Sequence, residues 1–124
     1  MNTQLKREHY QRITDPLARK MYNRLCDACE RRQEGMTDPD QMLVADIAYA
    51  EQMKQALMKD IEERGLGREY SNGRQRYYRE NRSPAQIRAF SEQQRKHMAE
   101  LRLTPGGRKA ATVELDDDFD RFPD

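Results

Sequence analysis

The sequence predicts a mainly α-helical fold, in which a protomer combines two long central helices, an N-terminal helix and one short β-hairpin. Apolar residues recur at helical spacing in three segments. Each segment opens on Ser, Thr or Asp next to a proline, which is typical of a helix start. Before the third segment, the pair Asn72-Gly73 predicts a turn between aromatic residues. Because only 35% of the 124 residues are hydrophobic, against 36% charged, a generous monomeric core is excluded and a homo-oligomer is expected.

The N-terminal part of the chain divides into an arm and a first helix. Residues 1–13 are polar and basic without a sustained apolar period, which predicts a flexible basic arm. The helix is predicted to begin at Thr14 or Asp15, with Pro16 in its first turn, and to end near Gly35. Its apolar residues recur at every fourth position and predict one narrow stripe that docks on a partner helix: Leu17, Met21, Leu25 and Cys29.

The second helix is the predicted hydrophobic centre of the molecule. Thr37 or Asp38 caps it, and Pro39 lies in its first turn. Gly65 and Gly67 end it, because glycine accepts the left-handed conformation of a helix cap. Its apolar residues cover well over one face, so we expect contacts both within the protomer and with a neighbouring subunit.

Residues 68–79 are predicted to form the short β-hairpin. Asn72-Gly73 supplies the positive-φ turn, and Tyr70, Tyr77 and Tyr78 favour strand geometry. An isolated two-stranded ribbon is only marginally stable, so a disordered linker is the alternative interpretation.

The third helix is predicted to begin at Ser83-Pro84 and to stop before residues 104–107. Gln94 and His97 interrupt its apolar side. The apolar residues of the second and third helices are predicted to carry the contacts between subunits. They are Leu43, Ile47, Met53, Leu57, Ile61, Ile87, Phe90, Met98 and Leu101.

Charge is segregated along the chain. Residues 68–110 hold 11 Lys and Arg against 4 Asp and Glu, whereas residues 111–124 hold 1 against 6. We therefore expect one helical domain over residues 14–110, for DNA binding and oligomerisation, followed by an acidic disordered tail over residues 111–124. The tail alternates acids with aromatic residues, a pattern that suits docking on a basic partner surface through Asp116, Asp117, Asp118, Phe119 and Phe122.

Two basic sets are candidates for binding double-stranded DNA. In the stronger set the arginines alternate with tyrosines, and guanidinium groups can bridge phosphates through paired donors. The alternative is that these arginines pair with Glu69 and Glu80 at a subunit interface. The stronger set is Arg68, Arg74, Arg76, Arg79 and Arg82. The second set, which would form an arm or a helix face, is Lys6, Arg7, Arg12, Arg19 and Lys20.

The sequence lacks the residue clusters that carry catalysis. It has no P-loop, no Gly-x-Ser-x-Gly, no His-Glu-x-x-His and no dinucleotide fingerprint, so we predict a protein that is not an enzyme and uses no cofactor or metal. Cys26 and Cys29 are spaced like half of a zinc site, but His9 and His97 do not complete it, and reduced, partly buried thiols are expected. Without a signal-peptide core or a membrane-length apolar run, a soluble intracellular protein is expected.

The order of features from Asp38 to Lys109 resembles the small subunits of tailed-phage terminases. The shared features are a long helix, a short connection containing Asn-Gly, and a closing Leu-x-Leu-Thr-Pro-x-x-Arg, here residues 101–108. In the family, the segment before this motif often opens on Asn-Pro; here Asn81 precedes Ser83-Pro84.

The chain departs from the family pattern at the closing motif. Arg102 stands where a glycine is commonly seen before Leu-Thr-Pro, and Gly106-Gly107 replace small helix-favouring residues. The second departure argues against a helix after Pro105.

The resemblance implies a ring-shaped homo-oligomer that binds viral DNA near the packaging start. It further implies that the DNA passes to the large subunit, which carries the ATPase and nuclease, that the acidic tail suits contact with that subunit, and that the protein acts in the host cytoplasm. Two other functions stay open: a small helix-turn-helix regulator with its turn around Gly35, and an oligomeric adaptor that does not bind DNA.

Overall fold

A computed structural model describes residues 1–104, which form four helices and one two-stranded antiparallel sheet. The predicted mainly helical class and the predicted hairpin are confirmed. Helices α3 and α4 pack against each other, and α1 and α2 pack on the N-terminal half of α3. The elements are α1 (Thr3–Arg12), α2 (Pro16–Glu30), α3 (Asp38–Arg64), β1 (Gly67–Asn72), β2 (Gln75–Glu80) and α4 (Ser83–Glu100).

The predicted starts of α2 and α3 are confirmed because capping residues stand where the sequence places them. The Asp15 carboxylate accepts a hydrogen bond from the backbone N–H of Ala18 at 3.0 Å. Thr37 and Asp40 cap α3 reciprocally, each side chain accepting from the other residue's backbone N–H. Helix α3 ends at Gly65, whose φ of 75° lies in the left-handed region that glycine tolerates.

The predicted unstructured arm over residues 1–13 is wrong, because Thr3–Arg12 form α1. Asn2 caps this helix by accepting hydrogen bonds from the backbone N–H groups of Gln4 and Leu5. The Gln41 carboxamide of α3 then pairs with the Asn2 backbone: it accepts from the N–H at 3.0 Å and donates to the carbonyl at 2.9 Å. A search for apolar periodicity misses such a helix, since polar hydrogen bonds hold it in place.

The predicted apolar stripe of α2 is only partly correct. The fully buried face is Ala18, Tyr22, Cys26 and Cys29, whereas Leu17 is 55% exposed and Met21 and Leu25 are half-buried. The stripe is displaced because α1 covers the Tyr22 side of the helix, where the Tyr22 hydroxyl finds hydrogen-bond partners in Gln41 and His9.

Helix α2 also ends earlier than predicted, at Glu30 rather than near Gly35. Arg32 turns inward instead of continuing the helix. Its guanidinium donates to the backbone carbonyl of Leu101 at 2.6 Å, to that of Gly35 at 3.0 Å and to the Asp40 carboxylate at 2.7 Å. Burial opposes ionisation of Asp40, but hydrogen bonds from Thr37 and Arg32 outweigh it and lower the pKa of Asp40.

The core joins the first three helices to the end of α4. This core is small, and each of its residues is at most 2% exposed. The predicted start of α4 at Ser83 is confirmed. The core residues are Ile13, Ala18, Tyr22, Cys26, Cys29, Val44, Ala45, Ile47, Ala48 and Leu101.

Within residues 1–104, no helix is long and apolar enough to span a bilayer.

Candidate nucleic-acid interface

The hairpin register divides its side chains between two faces. Residues directly opposite each other in an antiparallel pair lie on the same face, and the face alternates along each strand. Because Arg68 pairs with Arg79, the face on which every other hairpin residue lies is also known. One face, here called the Arg68 face, carries Arg68, Tyr70, Asn72, Gln75, Tyr77 and Arg79. The other, the Arg76 face, carries Gly67, Glu69, Ser71, Arg76, Tyr78 and Glu80.

The Arg68 face contains no carboxylate. Tyr70 and Tyr77 stack on it with ring centroids 5.7 Å apart and an interplanar angle of 17°. The Arg79 guanidinium lies 5.9 Å from the Tyr70 ring centroid. Both tyrosines are more than a third exposed, so the face offers an aromatic and cationic surface to solvent.

The Arg76 face is mixed in charge, because Glu69 and Glu80 lie on it beside Arg76. Tyr78 crosses this face so closely that a Cβ added to Gly67 would stand 1.9 Å from the Tyr78 hydroxyl oxygen. Gly67 therefore serves close packing in the strand rather than a helix cap, which Gly65 alone provides.

Arg74 lies in the turn, which differs slightly from the prediction. Asn72 pairs with Gln75, so the two loop residues are Gly73 and Arg74 rather than Asn72 and Gly73. Only Gly73 has a positive φ, 64°, as a type II′ turn requires. The turn thus presents Arg74 at the tip of the hairpin.

All five arginines of the stronger predicted set are exposed. Among the described residues, none of them forms an ion pair with a carboxylate. Arg82 lies in the connection to α4 and, together with Arg64 and Arg79, lines a cleft of about 660 Å³ at the hairpin base. The structure therefore places Arg68, Arg74, Arg76 and Arg79 on the hairpin and Arg82 just beyond its base.

A polar cluster around Asp60 fixes the base of the hairpin. The Asp60 carboxylate accepts hydrogen bonds from the Arg64 guanidinium, the Asn81 carboxamide and the Ser83 hydroxyl, the last at 2.7 Å. Asn81 also donates to the Gly65 carbonyl at 2.8 Å. Hydrogen bonds from Arg64 and Ser83 hold the pKa of Asp60 well below its ordinary range. The end of α3, the hairpin and the start of α4 are thereby tied at one carboxylate.

The second basic set is not brought to the hairpin. Its region bonds to α3 between Asp38 and Gln52, while the hairpin leaves α3 after Arg64, roughly 18 Å further along the helix axis. Arg7 and Lys20 are exposed.

Three members of that second set make contacts within the chain. Arg19 donates to the carbonyls of Ile13 at 2.7 Å and Tyr10 at 2.8 Å, and its guanidinium lies over the Tyr10 ring. Arg12 forms an ion pair with Asp46 at 3.3 Å, and the Lys6 ammonium lies over the Tyr10 ring. Arg19 in particular holds the end of α1, which makes it a poor phosphate ligand.

The residues predicted to carry subunit contacts fall into three groups. Ile47 and Leu101 are 1% and 0% exposed inside the single chain, so assigning them to a surface between subunits is wrong. They lie in the core because α2 and α4 close over the middle of α3. Leu43 and Met98 pack against that core, and Ile61 and Ile87 are half-buried. Met53, Leu57 and Phe90 line an open apolar groove of about 340 Å³ between α3 and α4.

The predicted partner-binding residues Asp116, Asp117, Asp118, Phe119 and Phe122 lie outside the described residues, as do the Gly106-Gly107 pair and Arg108.

The two cysteines form no disulfide with each other. Cys26 and Cys29 are free and fully buried, more deeply than predicted. Burial raises the pKa of Cys26 to about 11 and also raises the pKa of Cys29, which makes both thiols poor nucleophiles. Over residues 1–104, the His, Cys, Asp and Glu side chains form no group of three that could hold a metal ion.

Sequence reasoning missed two parts of this site. It named the hairpin arginines but did not separate the two faces, although the strand period of two, counted from the turn, carries that information. It did not identify Asp60 or Asn81 as the base of the hairpin. No local pattern marks them, because the cluster joins residues 21 and 23 positions apart.

Comparison with known proteins identifies the family. The family model described as "Phage terminase, small subunit" matches residues 18–118. Searches of curated proteins and of solved structures gave no significant match. The matched region contains α3, the hairpin and α4 entire and all of α2 except its first two residues, and it extends over most of the 124 residues. The chain therefore belongs to the phage terminase small-subunit family.

Proposed function

We propose that this protein is the DNA-recognition subunit of a phage packaging machine. It assembles as a ring-shaped homo-oligomer, binds duplex DNA near the packaging start and passes it to the large subunit, which carries the ATPase and nuclease. It acts in the cytoplasm of the infected cell and is not itself an enzyme, as is general for small subunits.

The observation that carries the proposal is the exposed hairpin with its concentration of arginines. Guanidinium groups that are exposed and have no carboxylate partner within residues 1–104 are available to phosphates. Pairing with Glu69 and Glu80 is not made within the chain, because none of the five arginines forms an ion pair with either glutamate among the described residues.

The helix-turn-helix alternative is also less well supported. The N-terminal half of α3, which would have to enter a DNA groove, is buried at Val44, Ala45 and Ala48. The exposed charges on that half are acidic, Asp38 and Asp46 among them. Carboxylates on the exposed side of a recognition helix would repel phosphates.

DNA binding is tested by titrating a fluorescent duplex with the full chain at several salt concentrations. If five phosphates are contacted, the slope of log K against log salt is expected near −4.5, about −0.9 per contact. Native mass spectrometry of the same samples, with and without duplex, counts the subunits. A stable monomer that leaves the duplex free at low ionic strength would overturn the proposal.

We also propose that the acidic tail binds the large subunit. Deletion of residues 114–124 removes six acidic residues and the aromatic residues between them. The truncated chain is expected to assemble normally while its affinity for the large subunit, measured by pull-down or by ATPase stimulation, falls. Unchanged affinity would reject this role for the tail.

A further inference from the structure

We propose that the Arg68 face of the hairpin enters the major groove of duplex DNA. Asn72 and Gln75 then contact base edges at the tip, while Arg68 and Arg79 contact phosphates near the hairpin base. This inference rests on the proposed DNA-binding function and adds the groove, the face and the residues that discriminate sequence.

The dimensions of the hairpin select the groove. Strands of six residues are about 20 Å long, and two paired strands lie about 4.8 Å apart before side chains are added. The major groove of B-DNA is about 12 Å wide and about 8.5 Å deep and admits a two-stranded ribbon. The minor groove, about 6 Å wide, is too narrow for this ribbon with its side chains.

The distribution of charge selects the face. Every ionisable group on the Arg68 face that is charged at neutral pH is an arginine, whereas the Arg76 face carries Glu69 and Glu80. Placing the Arg76 face against DNA would bring two carboxylates towards phosphates, at an electrostatic cost. Arg82, beyond the base, can contact the flanking backbone in the proposed orientation.

The order of residues along the Arg68 face decides which of them contact bases and which contact phosphates. Asn72 and Gln75 form the pair next to the turn, so they reach deepest if the ribbon enters tip first. Each carboxamide has a donor and an acceptor, which match N6 and N7 of adenine in the major groove. Arg68 and Arg79 form the pair nearest the base, where the ribbon meets the rim of the groove.

Two contacts hold this arrangement in a fixed orientation. The stacked Tyr70 and Tyr77 stiffen the middle of the ribbon, and Arg79 packs over Tyr70. The Asp60 cluster fixes the base against α3 and α4. A preorganised ribbon loses little conformational entropy on binding.

The face is tested by comparing Arg79→Ala with Arg76→Ala in the full chain. Both variants remove one arginine from an exposed position of β2, but from opposite faces. For Arg79→Ala we expect an affinity loss of about eight-fold at 0.1 M salt and a salt slope smaller by about 0.9, the values for one phosphate contact. Arg76→Ala should leave the affinity and the salt slope nearly unchanged. Equal losses for the two variants would overturn the face assignment.

The groove and the reading residues are tested by selection from a randomised duplex library. The unmodified chain is expected to enrich a motif, and dimethyl sulfate footprinting should show protection at guanine N7, in the major groove. Gln75→Ala, which leaves Asn72 beside the turn, is expected to lose preference at one or two positions while its salt slope stays the same. Protection at adenine N3 alone, or a Gln75→Ala variant with an unaltered motif, would overturn the proposal.

A single-stranded oligonucleotide of the enriched sequence is the third probe. Tighter binding to it than to the duplex, lost in Tyr70→Ala, would replace groove entry by base stacking. If the unmodified chain binds no duplex at low salt, the proposed function fails as well. If it binds duplex but fails the two comparisons above, only this inference fails.

Discussion

At the scale of single residues, Arg102 has an unusual backbone conformation. Its φ of 60° makes it the one non-glycine residue with a positive φ within residues 1–104. The N–H of Arg102 bonds to the carbonyl of Ala99, and that of Leu103 bonds to the carbonyl of Met98, which together form a Schellman motif at the end of α4. This motif favours glycine at the position of Arg102.

Arg102→Gly is expected to stabilise the fold by up to about 1 kcal/mol. The left-handed conformation costs a residue with a Cβ about 1–2 kcal/mol, partly offset by the greater freedom of glycine in the unfolded chain. The exposed ion pair with Glu34 that would be lost is worth about 0–1 kcal/mol. Thermal or urea unfolding measures the change. Arg88→Gly, at an exposed position inside α4, is the control and should destabilise by about 1 kcal/mol; a loss in both variants would contradict the assignment.

A buried hydrogen-bond chain makes the docking of α1 depend on pH. Gln41 donates to the Tyr22 hydroxyl at 2.8 Å, so the Tyr22 proton is free to donate to His9 Nδ1 at 2.9 Å. Burial raises the pKa of Tyr22 to about 12, so this hydroxyl keeps its proton. With Tyr22 as the donor, Nδ1 of His9 accepts the hydrogen bond and carries no proton. Burial, and next the nearby Arg12, lower the pKa of His9 from its ordinary value of 6.5.

Stability is expected to fall as the pH falls below about 6.5, because in that window the unfolded chain binds a proton on His9 that the folded chain resists. The stability contributed by neutral His9 is fully present above the pKa of His9 in the unfolded chain. It is lost as the pH falls through the lower pKa of His9 in the folded chain. Melting temperatures are measured between about pH 7.5 and about pH 5.5 for the unmodified chain and for His9→Gln. The difference between the two proteins isolates the titration of His9, because all other groups titrate in both. Equal pH dependence in both proteins would refute the role of His9.

At the scale of elements, one buried carboxamide joins α3 to α4. Gln94, which the sequence analysis treated as an interruption of an apolar face, donates to the Ile47 carbonyl at 3.0 Å and to the Glu51 carboxylate at 3.1 Å. Lys54 donates back to the Gln94 oxygen at 2.9 Å. Burial would raise the pKa of Glu51, but the hydrogen bonds from Gln94 and Gln55 outweigh it and lower that pKa.

Gln94→Leu is expected to destabilise the chain by about 1–3 kcal/mol, although leucine has a similar volume. The substitution removes one hydrogen-bond partner from Glu51 and one from Lys54, whose remaining ion pair with each other lies in a half-buried site. Chemical denaturation measures the loss. Gln11→Leu, the same change at an exposed position of α1, should stay within about 0.5 kcal/mol. Similar losses at both positions would show that the buried hydrogen bonds are not the cause.

At the scale of the whole molecule, the small core leaves an apolar groove between α3 and α4 open to solvent. Met53, Leu57, Ala89 and Phe90 supply its apolar lining, and Gln86 and Gln93 its polar edge. A groove of this kind fits the proposed contact between protomers, which would bury the apolar surface that a single chain leaves exposed.

Phe90→Asp is expected to shift the assembly towards the monomer without unfolding the protomer. A carboxylate placed in an apolar interface loses its hydration without gaining a partner. Light scattering after size-exclusion chromatography measures the mass, and circular dichroism monitors the helices. Ala85→Asp makes the same chemical change at an exposed position of α4 outside the groove lining and should assemble normally. An unaltered mass for Phe90→Asp would remove this groove from the interface.

The sequence by itself determined where α2 and α3 begin, where α3 ends, and the hairpin that turns at glycine. Asp15, Thr37 and Gly65 act on their immediate neighbours, so their effect can be read from local spacing. The order of features from Asp38 to Lys109, with its closing motif at residues 101–108, likewise indicated the family before the fold was known.

Only the tertiary structure decided which surfaces are free. Helix α1 forms because Gln41, 39 positions away, pairs with Asn2, and this pairing displaces the buried face of α2 towards Tyr22. Ile47 and Leu101 lie in the core, and Phe90 lines a groove, although all three have the same apolar character in the sequence. Burial depends on which elements meet in space, and such contacts between distant residues leave no periodic pattern in the chain.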